Sequence, residues 1–367
     1  MQNEEDGREG RHDDEDPVGD ILADSPPFDS AAGLHLMSSG DLEIAIGHVS
    51  SAADEWEDGG ATSREEAVRV KMLSRYRDDP DILWRPHLVA DDGTLARLDA
   101  LRAGAGNMAQ LLDIVRRAAV ISRHTRTPLR VPPIVLLGPP GSGKSRMAGL
   151  IAGALGTTST TINCTSLQDL GPLLGSNPAW RGAGIGAVAK ALLACPTSAP
   201  LLLCDEAEKA STVECTTNPL DCLLQLLEPT TAEAFRDNYL DVPIMAQNIL
   251  WLFCVNSLAG LSQPLLDRCV VVEVAELSGD ARRRALKELV ADIACRHGMA
   301  PADLDEESLA VLDGGGLRRA RAVVTAALAE AFEAGRDWPH AGDLRAAVTL
   351  FGSSRPRPRQ PVGFVHF

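Results

Sequence analysis

The segment of this 367-residue chain best suited to chemistry is a glycine-rich loop that ends in a lysine and a serine. The loop reads Gly138-Pro139-Pro140-Gly141-Ser142-Gly143-Lys144-Ser145 and lies between an apolar run at 134–137 and a helical pattern. Backbone N–H groups of such a loop, with the N-terminus of the following helix, are suited to bind phosphate. Lys144 would neutralise the β- and γ-phosphates, and Ser145 would place a hydroxyl on Mg²⁺. The loop therefore predicts a site for ATP or GTP.

Two further polar signals each follow an apolar run. Asp205 and Glu206 come after residues 201–204, and Asn256 comes after residues 249–255. Because the carboxyl ends of parallel strands meet at one edge of a sheet, we expect the two carboxylates beside the phosphate loop. There Asp205 can hold Mg²⁺ and Glu206 can activate water as a general base. Asn256 suits a group that senses the γ-phosphate, and an ordinary strand-end cap is an equal alternative from these residues alone.

The elements that must position these residues alternate along the chain. Strands are predicted at 134–137, 160–164, 201–204, 249–255 and 270–274, with helices near 144–155, 184–195 and 219–228. Such alternation indicates an α/β fold with a parallel sheet and helices on both faces. From about residue 278 the pattern is helical only, at 279–297, 305–313, 316–335 and 340–351, which predicts a separate small all-α unit.

The N-terminal part differs in composition from the rest. Residues 1–60 hold 17 Asp and Glu against two Arg, so most of the net charge of −16 lies there and the body is nearly neutral. We expect residues 1–60 to be an acidic, mostly disordered tail, in which 42–46 could form a short helix. Helical patterns follow at 63–77 and 107–124, and residues 353–367 are expected to form an extended tail.

Composition also argues against several classes of protein. No stretch reaches the ~18 apolar residues of a membrane span, and the N-terminus is acidic where a secretory signal would be basic and then apolar. The eight cysteines lack Cys-x-x-Cys metal spacing, so a reduced, cytoplasmic protein is expected. A nearly neutral body does not favour binding to nucleic acid.

Three segments resemble the ATPase module of Lon-type AAA+ proteins in residue type, order and spacing. They are residues 218–229, 235–243, and 255–256 with Pro264-Leu265-Leu266-Asp267-Arg268. The resemblance spans about 130–350 and implies the P-loop AAA+ fold: a five-stranded parallel sheet, then a small helical lid, in a ring that is typically a hexamer. With the helical patterns before it, the resemblance divides the chain into a helical N-terminal segment at 61–130, the nucleotide-binding domain at 131–276 and the lid at 277–352.

The resemblance implies roles for individual residues. Asn256 matches the sensor-1 position. Arg268 matches the arginine finger, which would reach the γ-phosphate bound by the neighbouring subunit. Arg318 falls at the sensor-2 position of the lid, and the nearby Arg319 and Arg321 leave that register open.

Residues 180–186 are similar to the pore loop that contacts threaded polypeptide in this family. Trp180 stands at the aromatic position of that loop. The alternative is a tryptophan packed into the domain core.

The sequence also departs from the family pattern. Lon proteases carry a serine–lysine peptidase domain after the lid, and no such dyad can be assigned here. The family usually has Asp-Glu-Ile-Asp-Lys at this point, and this chain has Ala207 and Glu208 in place of the isoleucine and the second aspartate.

We therefore expect an ATP-dependent protein-remodelling ATPase that acts as a homo-oligomeric ring. It would convert ATP to ADP and phosphate with Mg²⁺ and act on a protein substrate, with a separate peptidase as an optional partner and no membrane. The alternatives are an ATP-dependent regulatory switch that threads nothing and, less favoured, a DNA-associated AAA+ ATPase.

Overall fold

The computed structural model describes residues 33–55, 64–167, 170–210, 218–300, 304–313 and 315–351. Its strands are β1 (Gly33–His35), β2 (Trp84–Pro86), β3 (Ile134–Leu137), β4 (Ser159–Asn163), β5 (Leu201–Asp205), β6 (Phe235–Arg236), β7 (Pro243–Ile244), β8 (Leu250–Val255) and β9 (Val270–Glu273). Its helices are α1 (Ser39–Glu55), α2 (Arg64–Asp78), α3 (Asp92–Gly104), α4 (Ala109–Thr125), α5 (Lys144–Leu155), α6 (Gly171–Leu174), α7 (Ala187–Ala194), α8 (Leu224–Leu227), α9 (Pro229–Ala232), α10 (Gln263–Asp267), α11 (Gly279–Arg296), α12 (Glu306–Leu312), α13 (Leu317–Glu333) and α14 (Ala341–Leu350).

The central feature is a five-stranded parallel sheet in the order β4-β5-β8-β3-β9, which confirms the predicted sheet. Successive side chains of a strand point to opposite faces, and the two faces of this sheet bury different cores. On β8, Trp251 and Phe253 belong to one core, while Leu250 and Leu252 belong to the other. A strand that is apolar on both faces is covered by helices on both sides.

The order of the strands decides where chemistry can occur. β5, β8 and β3 are neighbours, and their carboxyl ends lead into Asp205–Glu206, Asn256 and the phosphate loop. The sequence signals that lie far apart along the chain therefore meet at one edge of the sheet.

The expectation of a disordered tail was wrong for residues 33–55. β1 pairs with β2, and α1 contributes Leu42 and Ala45 to a buried core that also contains Leu36. The backbone N–H of Leu36 donates to the carbonyl of Leu83 at 3.0 Å. A few well-spaced apolar side chains thus outweigh the acidic composition of this stretch. Residues 1–32, 56–60 and 353–367, which carry the rest of the two tail predictions, lie outside the described residues.

The helices before the sheet agree with the sequence in part. α2 and α4 lie where helical patterns were predicted, although Ser63, the expected cap of α2, lies outside the described residues. α3 was not predicted. It begins with a capping box in which the Asp91 carboxylate accepts from the N–H of Thr94 at 2.6 Å.

The last four helices, α11 to α14, form a core of their own. Leu286, Val290, Val324 and Leu344 are buried in it. This unit begins directly after β9, so one connection joins it to the edge of the sheet near the phosphate loop. Among the described residues, none of the helices combines the length and the apolar character that a bilayer crossing requires.

Candidate nucleotide-binding site

The phosphate loop joins β3 to α5 in a conformation that requires glycine at two positions. Gly141 has φ +80° and Gly143 has φ +92°, in the left-handed region that side chains disfavour. Asn107, which lies outside the motif, also holds the loop: its side-chain amide donates to the carbonyls of Ser142 at 3.2 Å and Ala275 at 3.0 Å. Its shape is therefore fixed by contacts outside the motif. Asn107 was not recognised from the sequence as part of the site.

Lys144 is largely buried at the end of this loop. Its Nζ donates to the carbonyl oxygens of Gly138 at 2.6 Å and Pro139 at 3.0 Å, and it lies 3.4 Å from Oδ1 of Asn256. Burial lowers the pKa of Lys144, and nearby acidic groups, among them Asp205, oppose that change. The ammonium group thus has backbone acceptors that a phosphate can replace.

The two predicted carboxylates lie at the end of β5. Oγ of Ser145 donates to Oδ2 of Asp205 at 2.8 Å, and Oδ1 of Asp205 accepts from the N–H of Glu206 at 3.0 Å. A hydroxyl and a carboxylate oxygen side by side are the hard oxygen donors that Mg²⁺ prefers, so the residues fit that ion. Glu206 has φ +54° and pairs with Lys209 at 2.9 Å. Left-handed backbone at a non-glycine residue costs about 1 kcal/mol.

The lid closes a cleft of about 600 Å³ over the phosphate loop. The loop, Asp205, Glu206 and Asn256 line one side of it, and Leu289, Leu317, Arg318 and Arg321 line the other. Arg321 is held by Asp292 at 2.6 Å. Arg318 and Arg321 are three residues apart on α13 and so share a helical face. The sequence alone left open which of Arg318, Arg319 and Arg321 occupies the sensor-2 position.

A surface ion pair links the lid to the helix of the phosphate loop. Arg146 on α5 lies 3.0 Å from Glu288 on α11. Both side chains are more than half exposed, so the pair contributes little to stability.

Two predicted site residues lie away from this cleft. Arg268 follows α10, where Nε is 3.0 Å from Oε1 of Glu228 and Nη1 donates to the carbonyl of Pro264 at 3.1 Å. Trp180 lies on the loop between α6 and α7 and is 68% exposed, so the alternative of a core tryptophan is excluded. Neither residue is among those that line the cleft in the described part of the chain.

Both ends of the Trp180 loop rest on one buried carboxylate. Asp237 is fully buried and accepts from the N–H groups of Gly186 at 2.8 Å, Tyr239 at 2.9 Å and Leu240 at 3.1 Å. At the other end of the loop, a Cβ on Gly175 would collide with the Asp237 carboxylate. Sequence reasoning matched this segment to the family but did not connect it to the loop.

Helix α2 contacts the segment that follows Asp237. Arg69 of α2 is buried, and its Nη2 donates to the carbonyl of Leu240 at 2.9 Å. Glu66 and Arg69 also line a second cleft together with Trp180. α2 therefore forms part of the surface around the Trp180 loop.

Comparison with known proteins agrees with this geometry. Residues 134–277 match the model of the AAA family, "ATPase family associated with various cellular activities". The chain is 25% identical to Lon protease 1 of Bacillus subtilis over 292 residues, which is 75% of this chain and 38% of that protein. It is 37% identical to the mitochondrial Lon protease homolog of Saccharomyces cerevisiae over 146 residues, which is 40% of this chain and 13% of that protein. Residues 134–277 form a Lon-type AAA+ ATPase domain.

The expected family resemblance is thus confirmed. The chain spans well under half the length of either Lon relative. Among solved structures, the RuvB Holliday junction branch migration motor of Thermotoga maritima matches at a TM-score of 0.44 and 16% identity, over 67% of this chain and 68% of that one. That likeness is too low to bear on function.

Proposed function

We propose that this chain hydrolyses ATP within a ring of identical subunits and uses the cycle to remodel or unfold a protein substrate. The observation that carries the proposal is the meeting of the phosphate loop, two carboxylates and Asn256 at one sheet edge, under a lid that contributes arginines. Separate from this cleft, an exposed tryptophan and an exposed arginine lie on the surface.

Within the cleft, Lys144 and the loop N–H groups bind the phosphates, and Ser145 and Asp205 hold Mg²⁺. The ion supplies positive charge that neutralises the phosphate oxygens when it is bound. Glu206 accepts the proton of the attacking water. Asn256 aligns that water or senses the γ-phosphate. The direct bond between Ser145 and Asp205 supports this assignment, because both groups must approach the same cation.

Arg268 acts on the nucleotide of the neighbouring subunit. Its position outside its own cleft supports this role, and its ion pair with Glu228 is half-exposed and therefore weak enough to be exchanged for phosphate. An arginine supplied in trans stabilises the charge that develops on the transferred phosphoryl group.

Trp180 contacts the substrate polypeptide. Its exposure supports this role. So does the attachment of the loop, which is hydrogen-bonded to Asp237 at Gly186 and packs against the same carboxylate at Gly175, since a gripping residue must transmit force to the domain. A flat aromatic face tolerates many side chains of an extended chain.

The test is a client trap with the full chain. The Glu206→Gln variant should bind ATP without cleaving it and should retain a bound client protein. Trp180→Ala should keep basal ATP hydrolysis and lose ATP-driven unfolding of that client, whereas Trp180→Tyr, which keeps an aromatic ring, should preserve it.

Recovery of no client by the trap would contradict remodelling and would favour the regulatory switch. Unfolding that survives in Trp180→Ala would remove the pore-loop role. Loss of ATP hydrolysis in Trp180→Ala would show that the tryptophan serves the cleft instead.

A further inference from the structure

An acidic side chain without an assigned role lies directly behind Asn256. Glu208 is part of the 3₁₀ turn Ala207–Lys209, which follows the two carboxylates at the end of β5. Its Oε1 accepts from both nitrogens of Asn256, the backbone N at 3.1 Å and the side-chain Nδ2 at 2.7 Å. Its Oε2 is buried and has no hydrogen-bond donor within the part of the chain that the structure describes. Asn256 is therefore the hydrogen-bonding partner of this carboxylate.

This contact fixes which way the Asn256 amide points. An ionised carboxylate can only accept hydrogen bonds, so the amide nitrogen of Asn256 must face Glu208. The amide oxygen must then face the opposite way, where it lies 3.4 Å from Nζ of Lys144. The two possible orientations of an asparagine amide are not equivalent here, because the flipped one would place oxygen against oxygen.

The backbone around Glu208 sets the distance that its side chain must cover. A Cβ on Gly260 would collide with the carbonyl oxygen of Glu208, so the turn packs directly against the loop that follows β8. The carbonyl of Gly260 in turn accepts from the Asn218 side chain at 2.7 Å. With both backbones held, the length of the side chain decides whether its carboxylate reaches Asn256. The aspartate usual in the family at this position is shorter by one methylene.

We propose that Glu208 is a positioning residue for ATP hydrolysis, which holds the Asn256 amide with its oxygen toward Lys144 and its nitrogen toward Glu208. Glu208 acts through Asn256 and touches no substrate atom. The inference rests on the proposed role of Asn256 in the hydrolytic site.

A double-mutant cycle on the full chain tests it, with steady-state ATP hydrolysis as the readout. Glu208→Ala removes the bond that orients the Asn256 amide as well as the one to its backbone N–H. The loss of the orienting bond should lower kcat about tenfold, the size expected for a hydrogen bond to a charged group, with KM for ATP nearly unchanged. In the Asn256→Ala background the same substitution should have no further effect, because the group it positions is gone. Glu208→Gln keeps an acceptor oxygen at the same length and should stay within about threefold of the wild type.

Each outcome separates the inference from the proposed function. Losses that multiply in the double variant, or an unchanged kcat in Glu208→Ala beside a reduced kcat in Asn256→Ala, would overturn the role of Glu208 and leave the site intact. An unchanged kcat in Asn256→Ala would instead remove the proposed role of Asn256. If Glu208→Ala fails to bind ATP, the Glu208→Asp variant replaces it in the test. Its shorter side chain withdraws the carboxylate from Asn256, so its kcat should be lower than that of Glu208→Gln. Equal kcat values in these two variants would contradict the inference.

Discussion

Asp237 offers the sharpest test of how the Trp180 loop is held, through the Asp237→Ala variant. The carboxylate is fully buried, and it is the acceptor for three backbone N–H groups, those of Gly186, Tyr239 and Leu240. Alanine removes both acceptor oxygens and leaves the three N–H donors in a site without solvent. One of them, Gly186, lies at the end of the Trp180 loop and precedes α7.

The size of the effect follows from these contacts. A buried N–H that loses its acceptor costs about 1 to 3 kcal/mol. Three such groups, less the desolvation energy recovered when the carboxylate is removed, give a loss of about 3 kcal/mol. That corresponds to a change of about 150-fold in the equilibrium for opening this region.

Hydrogen exchange at the three amides is the direct assay, with urea unfolding of the same protein alongside. Protection of the Gly186, Tyr239 and Leu240 amides should fall together in Asp237→Ala. Asp241→Asn is the matched control, since Asp241 lies in the same turn but is mostly exposed, and asparagine tolerates its φ of +51°. Wild-type protection of Gly186 in Asp237→Ala would refute the reasoning.

The Asp237→Asn variant removes the titration of this group, and it also replaces one of the two acceptor oxygens with an NH2 group. Burial raises the pKa of Asp237, and the three N–H donors oppose this only in part. A carboxyl whose pKa is raised on folding contributes stability that is fully present below its unfolded pKa and is lost as pH rises through its folded pKa. Relative to Asp237→Asn, which does not titrate, the wild type should therefore lose stability as the pH rises above its ordinary pKa of about 4. If the wild type instead gained stability relative to Asp237→Asn as the pH rises, burial would not be the cause of the change in the pKa of Asp237.

Three further predictions concern the nucleotide cleft. Lys144→Ala should abolish ATP binding, measured with a fluorescent ATP analogue, because it removes the buried ammonium, and retained affinity would contradict the site. Arg318→Ala should lower the rate of ATP hydrolysis, whereas Arg284→Ala, a change on the lid outside the cleft, should not. Equal rates in the two variants would show that Arg318 has no specific role in the cleft. Because burial raises the pKa of Cys254 to about 12, iodoacetamide at pH 8 should modify the exposed Cys295 and spare Cys254, and peptide mass spectrometry that found Cys254 labelled first would show an open cleft.

The sequence was sufficient for the parts of the site that local patterns encode. The apolar run before Gly138, the glycines of the loop and the helix after Lys144 form a continuous motif. The position of Asp205 beside that motif followed from a general rule of parallel sheets, and the observed strand order obeys it and brings Asn256 to the same edge.

What sequence reasoning missed depends on contacts between distant residues. Arg69 binds the carbonyl of Leu240, 171 positions away, and Glu208 binds Asn256, 48 positions away. Such pairs leave no periodic pattern. The folded segment at 33–55 was missed for a different reason: its acidic composition indicates disorder, although burial of a few apolar residues such as Leu42 is enough to order it.

The central claim is that an arginine from the next subunit completes each nucleotide-binding site. Mixing two inactive variants tests this claim. Glu206→Gln lacks the general base, and Arg268→Ala lacks the arginine offered to the neighbour. In a randomly mixed ring, an Arg268→Ala subunit beside a Glu206→Gln subunit regains a complete site, so an equal mixture should recover about a quarter of the wild-type ATPase rate. A mixture that remains as inactive as its two components would contradict the account.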